Sequence, residues 1–262
     1  MINLIKADIY RLIRSKGIYI TMGFLVALCI LQSFGMMESI GVSSASIEGL
    51  EEVEPVFTGR MTPFTMMKSN DNLLYILLPI IIFISSVDFS SGTAKNVLAN
   101  GVSRTHYYLA KLILSLIFCT ITVIFSILIP TVIVTLLNGF GGRFDFVFIS
   151  EVFGIISVQL LLLLAVTSIG VFFVFLTRST AKVNALYMAF CLLPMLLIFL
   201  LVTISESFSN LLDYEMVMNI RLSAYVNSLA QTDVMRMIFV GILYIFLSTF
   251  VGLIVFKKCD IK

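Results

Sequence analysis

Long apolar runs alternate with short polar breaks along this chain. A helix needs about 20 apolar residues to cross roughly 30 Å of hydrocarbon, and six runs meet that length: 18–37, 73–90, 107–137, 152–176, 183–204 and 237–256. The pattern predicts an all-α integral membrane protein with six transmembrane helices. The third run is longer than crossing requires, so it tilts or projects beyond the bilayer. Pro79, Pro130 and Pro194 fall inside runs two, three and five. Bends are expected there, with neighbouring helices satisfying the carbonyls that the prolines free.

Ahead of the first run, Ile2, Ile5, Ile9, Leu12 and Ile13 recur at three- and four-residue intervals, while Asn3, Lys6, Arg11 and Arg14 fall largely on the other side. Residues 1–16 therefore read as an amphipathic helix lying in a membrane interface, or else as a simple extension of the first span. The run 18–37 is too long for a secretory signal, and no small-residue cleavage pattern follows it, so it is expected to stay in the mature chain. Two polar segments stand out between the runs. Residues 36–72, rich in Ser, Gly and Glu with Pro55 and Pro63, are expected to be mostly irregular or only locally ordered. Residues 205–236 carry Leu211, Leu212, Met216, Met218, Ile220, Leu222 and Tyr225 at partly helical spacing, and predict short amphipathic helices resting on the interface. With no fixed-period repeat and no low-complexity tract, residues 1–262 read as one transmembrane domain.

Composition agrees with a bilayer as solvent: 60% of residues are hydrophobic, 12% are charged, and Trp is absent. The distribution of charge adds orientation. If the amino terminus is inside, the inner segments hold 12 of the 17 Lys and Arg residues and have a net charge of +9, and the outer segments have −7. Basic residues concentrate on the cytoplasmic side of membrane proteins, so both termini are expected in the cytoplasm.

Several function classes drop out. No concentrated basic face suggests nucleic acid. No GxxxxGK[ST] loop is present, and the glycine cluster at 139–142 sits at an outer turn, so the chain is not expected to hydrolyse ATP or to bind a cofactor itself. Cys29, Cys119 and Cys191 lie in apolar runs and Cys259 in a basic tail, without metal or redox spacing. One histidine, His106, builds no catalytic pair or metal cluster; no catalytic or metal-binding residue is assigned. Ionisable residues inside spans are the usual sign of ion-coupled carriers. Here Asp88 and Glu151 lie at span ends, and the mid-span polar groups are uncharged: Thr120, Thr122, Ser126, Thr131, Thr135, Ser157, Gln159, Thr167 and Ser168. Together they could line a path, but each taken singly reads as an ordinary helix-packing residue. Energy is therefore expected from another chain.

The polar island 88–111, DFSSGTAKNVLANGVSRTHYYLAK, is where such energy would enter. Gly92 is expected to break the descending helix and Thr93 to cap a short new one over 93–100, with Val97 and Leu98 available to bury against a partner. Gly101 reads as its stop. Ser103 or Thr105 then opens the third span, with Tyr107, Tyr108 and Lys111 at interface level. An ordinary re-entry loop with basic anchors is the plainer alternative.

At these residues the chain resembles the permease subunits of the ABC-2 exporter family, in particular bacterial six-span permeases for peptide or antibiotic export or immunity. Asp88, Gly92-Thr93, Lys95-Asn96 and Gly101-Val102-Ser103-Arg104, followed by Tyr107-Tyr108 and Lys111, carry the resemblance. It implies an elbow helix over 1–16 and a coupling segment over 91–104 that docks a separate ATP-binding-cassette subunit holding ATP and Mg. The ATPase-coupling residues would be Asp88, Gly92, Thr93, Lys95, Asn96, Gly101, Val102, Ser103 and Arg104. The resemblance further implies a second permease subunit, as homodimer or heterodimer, in the bacterial plasma membrane. The absence of large outer domains and of Trp favours an amphipathic cargo, such as an antimicrobial or toxic peptide, entering from the bilayer. Drug or sodium efflux, and a non-transporting anchor or sensor that recruits cytoplasmic proteins, are the alternative functions.

Overall fold

The computed structural model describes residues 2–41 and 57–258, with the side chains outside 36–41. Residues 42–56, with Glu48, Glu51, Glu52, Glu54 and Pro55 of the segment expected to be irregular, and the tail residues Cys259, Asp260 and Lys262 lie outside the described residues. Every element described is helical. α1 (Ile2–Ile13) precedes α2 (Lys16–Gly41). After α3 (Thr62–Lys68) and a 3-10 turn (Asn70–Asn72), α4 (Leu73–Ile81), a π-helical turn (Ile82–Ser86) and α5 (Val87–Ser90) make one continuous span. α6 (Thr93–Ala99) is short, whereas α7 (Arg104–Asn138), α8 (Phe146–Thr177) and α9 (Thr180–Ile204) are long. α10 (Met216–Leu222), between 3-10 turns at Glu206–Tyr214 and Ser223–Ser228, leads into α11 (Gln231–Lys258).

Six stretches are long and apolar enough to cross a membrane: Lys16–Gly35, Asn70–Ser90, Arg104–Asn138, Phe146–Thr177, Thr180–Ile204 and Gln231–Lys258. The chain is an all-α, multi-pass membrane protein. α8 lies at the centre, packed against α4, α7, α9 and α11. α2, α9 and α11 turn large apolar side chains outward, including Phe24, Leu196, Phe199, Phe246 and Phe250, as a lipid solvent permits. Hydroxyls within the spans are satisfied locally. Thr120, Thr122, Thr131, Thr135, Thr167 and Ser168 each donate to the carbonyl four residues earlier, which is the packing role expected of them.

The polar segments at the end of the bundle opposite α6 are more ordered and more deeply packed than their composition suggests. α3 starts with Pro63 in its first turn and buries Thr62, Pro63, Met66 and Met67, so part of the expected irregular stretch is helix packed on α7 and α8. α10 is one of the short helices expected in 205–236; it likewise buries Met216, Val217 and Ile220 and packs on α8, whereas the 3-10 turn at Glu206–Tyr214 buries no residue. Gln159 is the physical reason for the packing of α3 and α10. Its amide is fully buried in α8 and must find partners. Its Nε2 donates to the carbonyls of Met67 (2.8 Å) and Ile220 (3.4 Å), and its Oε1 accepts from Asn70 Nδ2 (2.8 Å). One side chain thus holds both segments to the central helix, and an Arg221–Asp71 ion pair of 2.7 Å joins them again nearby.

Candidate functional site

At the α6 end, three elements bring charged groups into the bundle. α1 places Leu12 and Asp8 on its buried face, with Arg11 one turn from Asp8. α5 supplies Asp88, which is 1% exposed, and α7 supplies Lys111, which is 0% exposed. Lys111 Nζ lies 2.7 Å from Asp8 Oδ1 and 2.5 Å from Asp88 Oδ2. Asp88 also pairs with the Arg11 guanidinium and accepts a hydrogen bond from Tyr107 Oη at 2.8 Å. Two carboxylates and two cations make the cluster neutral, which is how buried charge is tolerated. Lys111 was expected at interface level; it is instead enclosed, because two carboxylates reach it inside the protein.

The backbone takes part. Pro79 has no N–H for the carbonyl one turn back, and the span then widens into the π turn at Ile82–Ser86. Arg11 donates to the Ile84 carbonyl within that turn at 3.2 Å. The irregular turn is therefore clamped from α1, and Phe83 packs across Gly17 at the start of α2.

α6 hangs directly below this cluster. Gly92 adopts φ 73° and Gly101 φ 87°, left-handed values that favour glycine and set the two sharp turns around the helix. Gly92 itself is the N-cap residue, and Thr93, expected to cap, is the first helical residue with its hydroxyl bonded to that of Ser91 at 2.8 Å. Ser103 caps α7, accepting from the His106 amide at 3.3 Å. Ala94 is buried, and Val97 and Leu98 are partly buried against the bundle. These two apolar residues, read from the sequence as available to bury against a partner, remain partly exposed, and Leu98 lines a hollow at the surface. Packing α6 back onto the spans covers them in part and leaves a polar outer face: Thr93, Lys95, Asn96, Asn100, Gly101 and Ser103 are exposed. Beside that face is a hollow of about 490 Å³ lined by Lys95, Leu98, Gly101, Val102, Ser103 and Arg104.

The nine residues singled out from the sequence thus divide by position. Gly92, Thr93, Lys95, Asn96, Gly101, Val102 and Ser103 lie on or beside α6 at the surface. Arg104 is half-turned inward, donating to the carbonyls of Phe256 (3.2 Å) and Lys257 (2.9 Å) at the end of α11, and so ties the last span to this corner. Asp88 is enclosed, held by Arg11, Tyr107 and Lys111. An aromatic cluster completes the connection: Phe89, Tyr107, Phe175 and Phe256 come from α5, α7, α8 and α11, with ring centroids 5.4 Å apart for Phe89–Phe175 and 4.7 Å for Phe175–Phe256. No protein-family model matches the chain, and no curated protein matches it.

Asp8 and Arg11 are candidates that sequence reasoning passed over, whereas Tyr107 and Lys111 were noted only as interface and motif residues. The signal for Asp8 was present in α1. Asp8 stands three residues after Ile5 and four before Leu12, so it shares the apolar face of the helix, where an unpaired carboxylate is not tolerated. Among the described residues no group of His, Cys, Asp and Glu could hold a metal ion.

Proposed function

We propose that this chain is the membrane-spanning permease subunit of an ABC-2 type exporter, with α1 as its elbow helix and α6 as the coupling helix that seats in a separate ATP-binding-cassette subunit. The observation that carries this reading is the position of α6. It is a short helix with a polar outer face, held between two left-handed glycines and joined through Asp88, Arg104 and the aromatic cluster to α1 and to four spans. A push on α6 would reach α5, α7, α8 and α11 together, which is what an imported power stroke requires. The α6 end is then cytoplasmic, in the bacterial plasma membrane. ATP and Mg belong to the partner, two permeases pair, and the cargo is an amphipathic molecule such as an antimicrobial peptide that enters from the bilayer and is moved outward.

The test is co-purification of the chain with single ATP-binding-cassette subunits, followed by ATP hydrolysis in lipid nanodiscs with amphipathic peptides added. Lys95→Glu combined with Asn96→Arg alters two exposed side chains and should leave the melting of the isolated chain unchanged. Association with the ATPase should weaken by about tenfold or more, equivalent to about 1.4 kcal/mol, and peptide-stimulated hydrolysis should fall with it. Unaltered association and unaltered hydrolysis would sink the assignment. Capture of the ATPase through α6 without any peptide movement would favour the anchor reading.

A further inference from the structure

The junction between α1 and α2 contains a second built feature. Hydrogen bonds from Arg14 N to Arg11 O (3.2 Å) and from Ser15 N to Leu12 O (3.0 Å) close a turn there. The turn leaves a notch of about 470 Å³ against the π turn and α5, lined by Tyr10, Arg11, Arg14, Ser15, Phe83 and Val87. Its floor is apolar and its rim is basic and hydroxylic. The charged cluster behind it is already neutral, since Asp8 and Asp88 are matched by Arg11 and Lys111. The rim therefore keeps a surplus. Arg14 lies 4.2 Å over the exposed Tyr10 ring and makes no ion pair with a carboxylate among the described residues.

We infer that this notch binds an anionic phospholipid of the leaflet at the α1 end. The phosphate would sit on Arg14 and Ser15 beside the part-exposed Arg11, and the first acyl carbons would lie on Phe83 and Val87. Charge complementarity selects the headgroup, and the apolar floor of Phe83 and Val87 selects a lipid over a free anion. Arg11 lines the notch and also pairs with Asp88, so occupancy bears directly on the buried cluster. The inference needs only that the chain spans a membrane and holds whether or not an ATPase docks at α6.

The chain has no Trp, so Tyr10→Trp, at a position 59% exposed, places a single fluorophore at the notch. The purified full chain is reconstituted in nanodiscs of phosphatidylcholine containing a small fraction of lipid brominated near the headgroup, either phosphatidylglycerol or phosphatidylcholine. Each basic group near a lipid surface is worth about fivefold in anionic preference. Brominated phosphatidylglycerol should therefore quench at roughly one-fifth the mole fraction that phosphatidylcholine needs, and Arg14→Gln should remove most of that difference. Phe246→Trp, on the exposed face of α11, should report no preference. Equal quenching by the two lipids at position 10 overturns the inference, as does a preference that survives Arg14→Gln. Relief of quenching by millimolar glycerol 3-phosphate would show that a free phosphate is the occupant and would overturn the lipid assignment.

Discussion

Removing the Lys111 ammonium is the sharpest perturbation that the buried cluster offers. Its Nζ is 2.7 Å from Asp8 and 2.5 Å from Asp88, and the side chain is 0% exposed. At 2.7 Å and an effective dielectric constant of about 20, one such pair attracts by about 6 kcal/mol, most of which offsets the desolvation of the two ions. Lys111→Met keeps the length of the side chain and deletes the charge, leaving two buried carboxylates facing Arg11 alone. Breaking a buried pair in this way costs about 3–5 kcal/mol. The purified chain should show that loss in the midpoint of a denaturant titration in mixed micelles.

The decisive comparison is the double variant Lys111→Met with Asp8→Asn. It restores neutrality, because Asp88 keeps Arg11 and Tyr107 while Asp8 no longer needs a cation. Replacing a whole buried pair by neutral groups is often close to neutral in stability, so the double variant should recover most of the loss, with a coupling energy of about 2 kcal/mol or more between the sites. If Lys111→Met alone melts like the parent, or if the double variant is simply the sum of the singles, the ammonium is not the cation that holds Asp8 inside and the reasoning fails.

Two further predictions concern the ends of the bundle. Gln159→Leu fills the same space but strands the Asn70 amide and the Met67 and Ile220 carbonyls, so it should cost about 2–4 kcal/mol by loss of three hydrogen bonds and desolvation of their partners. Hydrogen exchange should then rise in α3 and α10 before it rises in α7. Gly92→Ala forces a Cβ into φ 73°, at a cost of about 1–2 kcal/mol. Limited proteolysis should cut around α6 sooner, with the global melt barely moved, and equal protection of α6 in both proteins would refute the cap assignment.

How much of this was legible from residues alone depended on whether a feature is local. Each membrane-length apolar run carries its own evidence, so six spanning stretches could be read without their neighbours. Gly92, Gly101 and Ser103 also acted locally, and a short helix bounded by turns lies where they place it. Thr93 misled as a cap because a threonine and a left-handed glycine compete for the same corner, and only the glycine tolerates that backbone. Polar residues misled wherever their partners are distant in sequence. Lys111 pairs with Asp8 across 103 residues and Gln159 with Asn70 across 89, and no periodicity on one helix announces its partner on another. Lys111 therefore reads as an interface anchor and Gln159 as a packing residue until the fold brings their acceptors to them.

The same distant pairing explains why Asp88 belongs with α6 although it is sealed from the surface. It lies four residues before Gly92, inside the last turn of the span, and its carboxylate is held by α1 through Arg11 and by α7 through Lys111 and Tyr107. An external partner cannot touch it. In the proposed mechanism a displacement of α6 that is passed on to α5 would stretch an ion pair whose loss costs several kcal/mol. On the proposed reading Asp88 is therefore a positioning residue: it would make α1, α5 and α7 respond as one body to a subunit docked on the exposed Lys95 and Asn96.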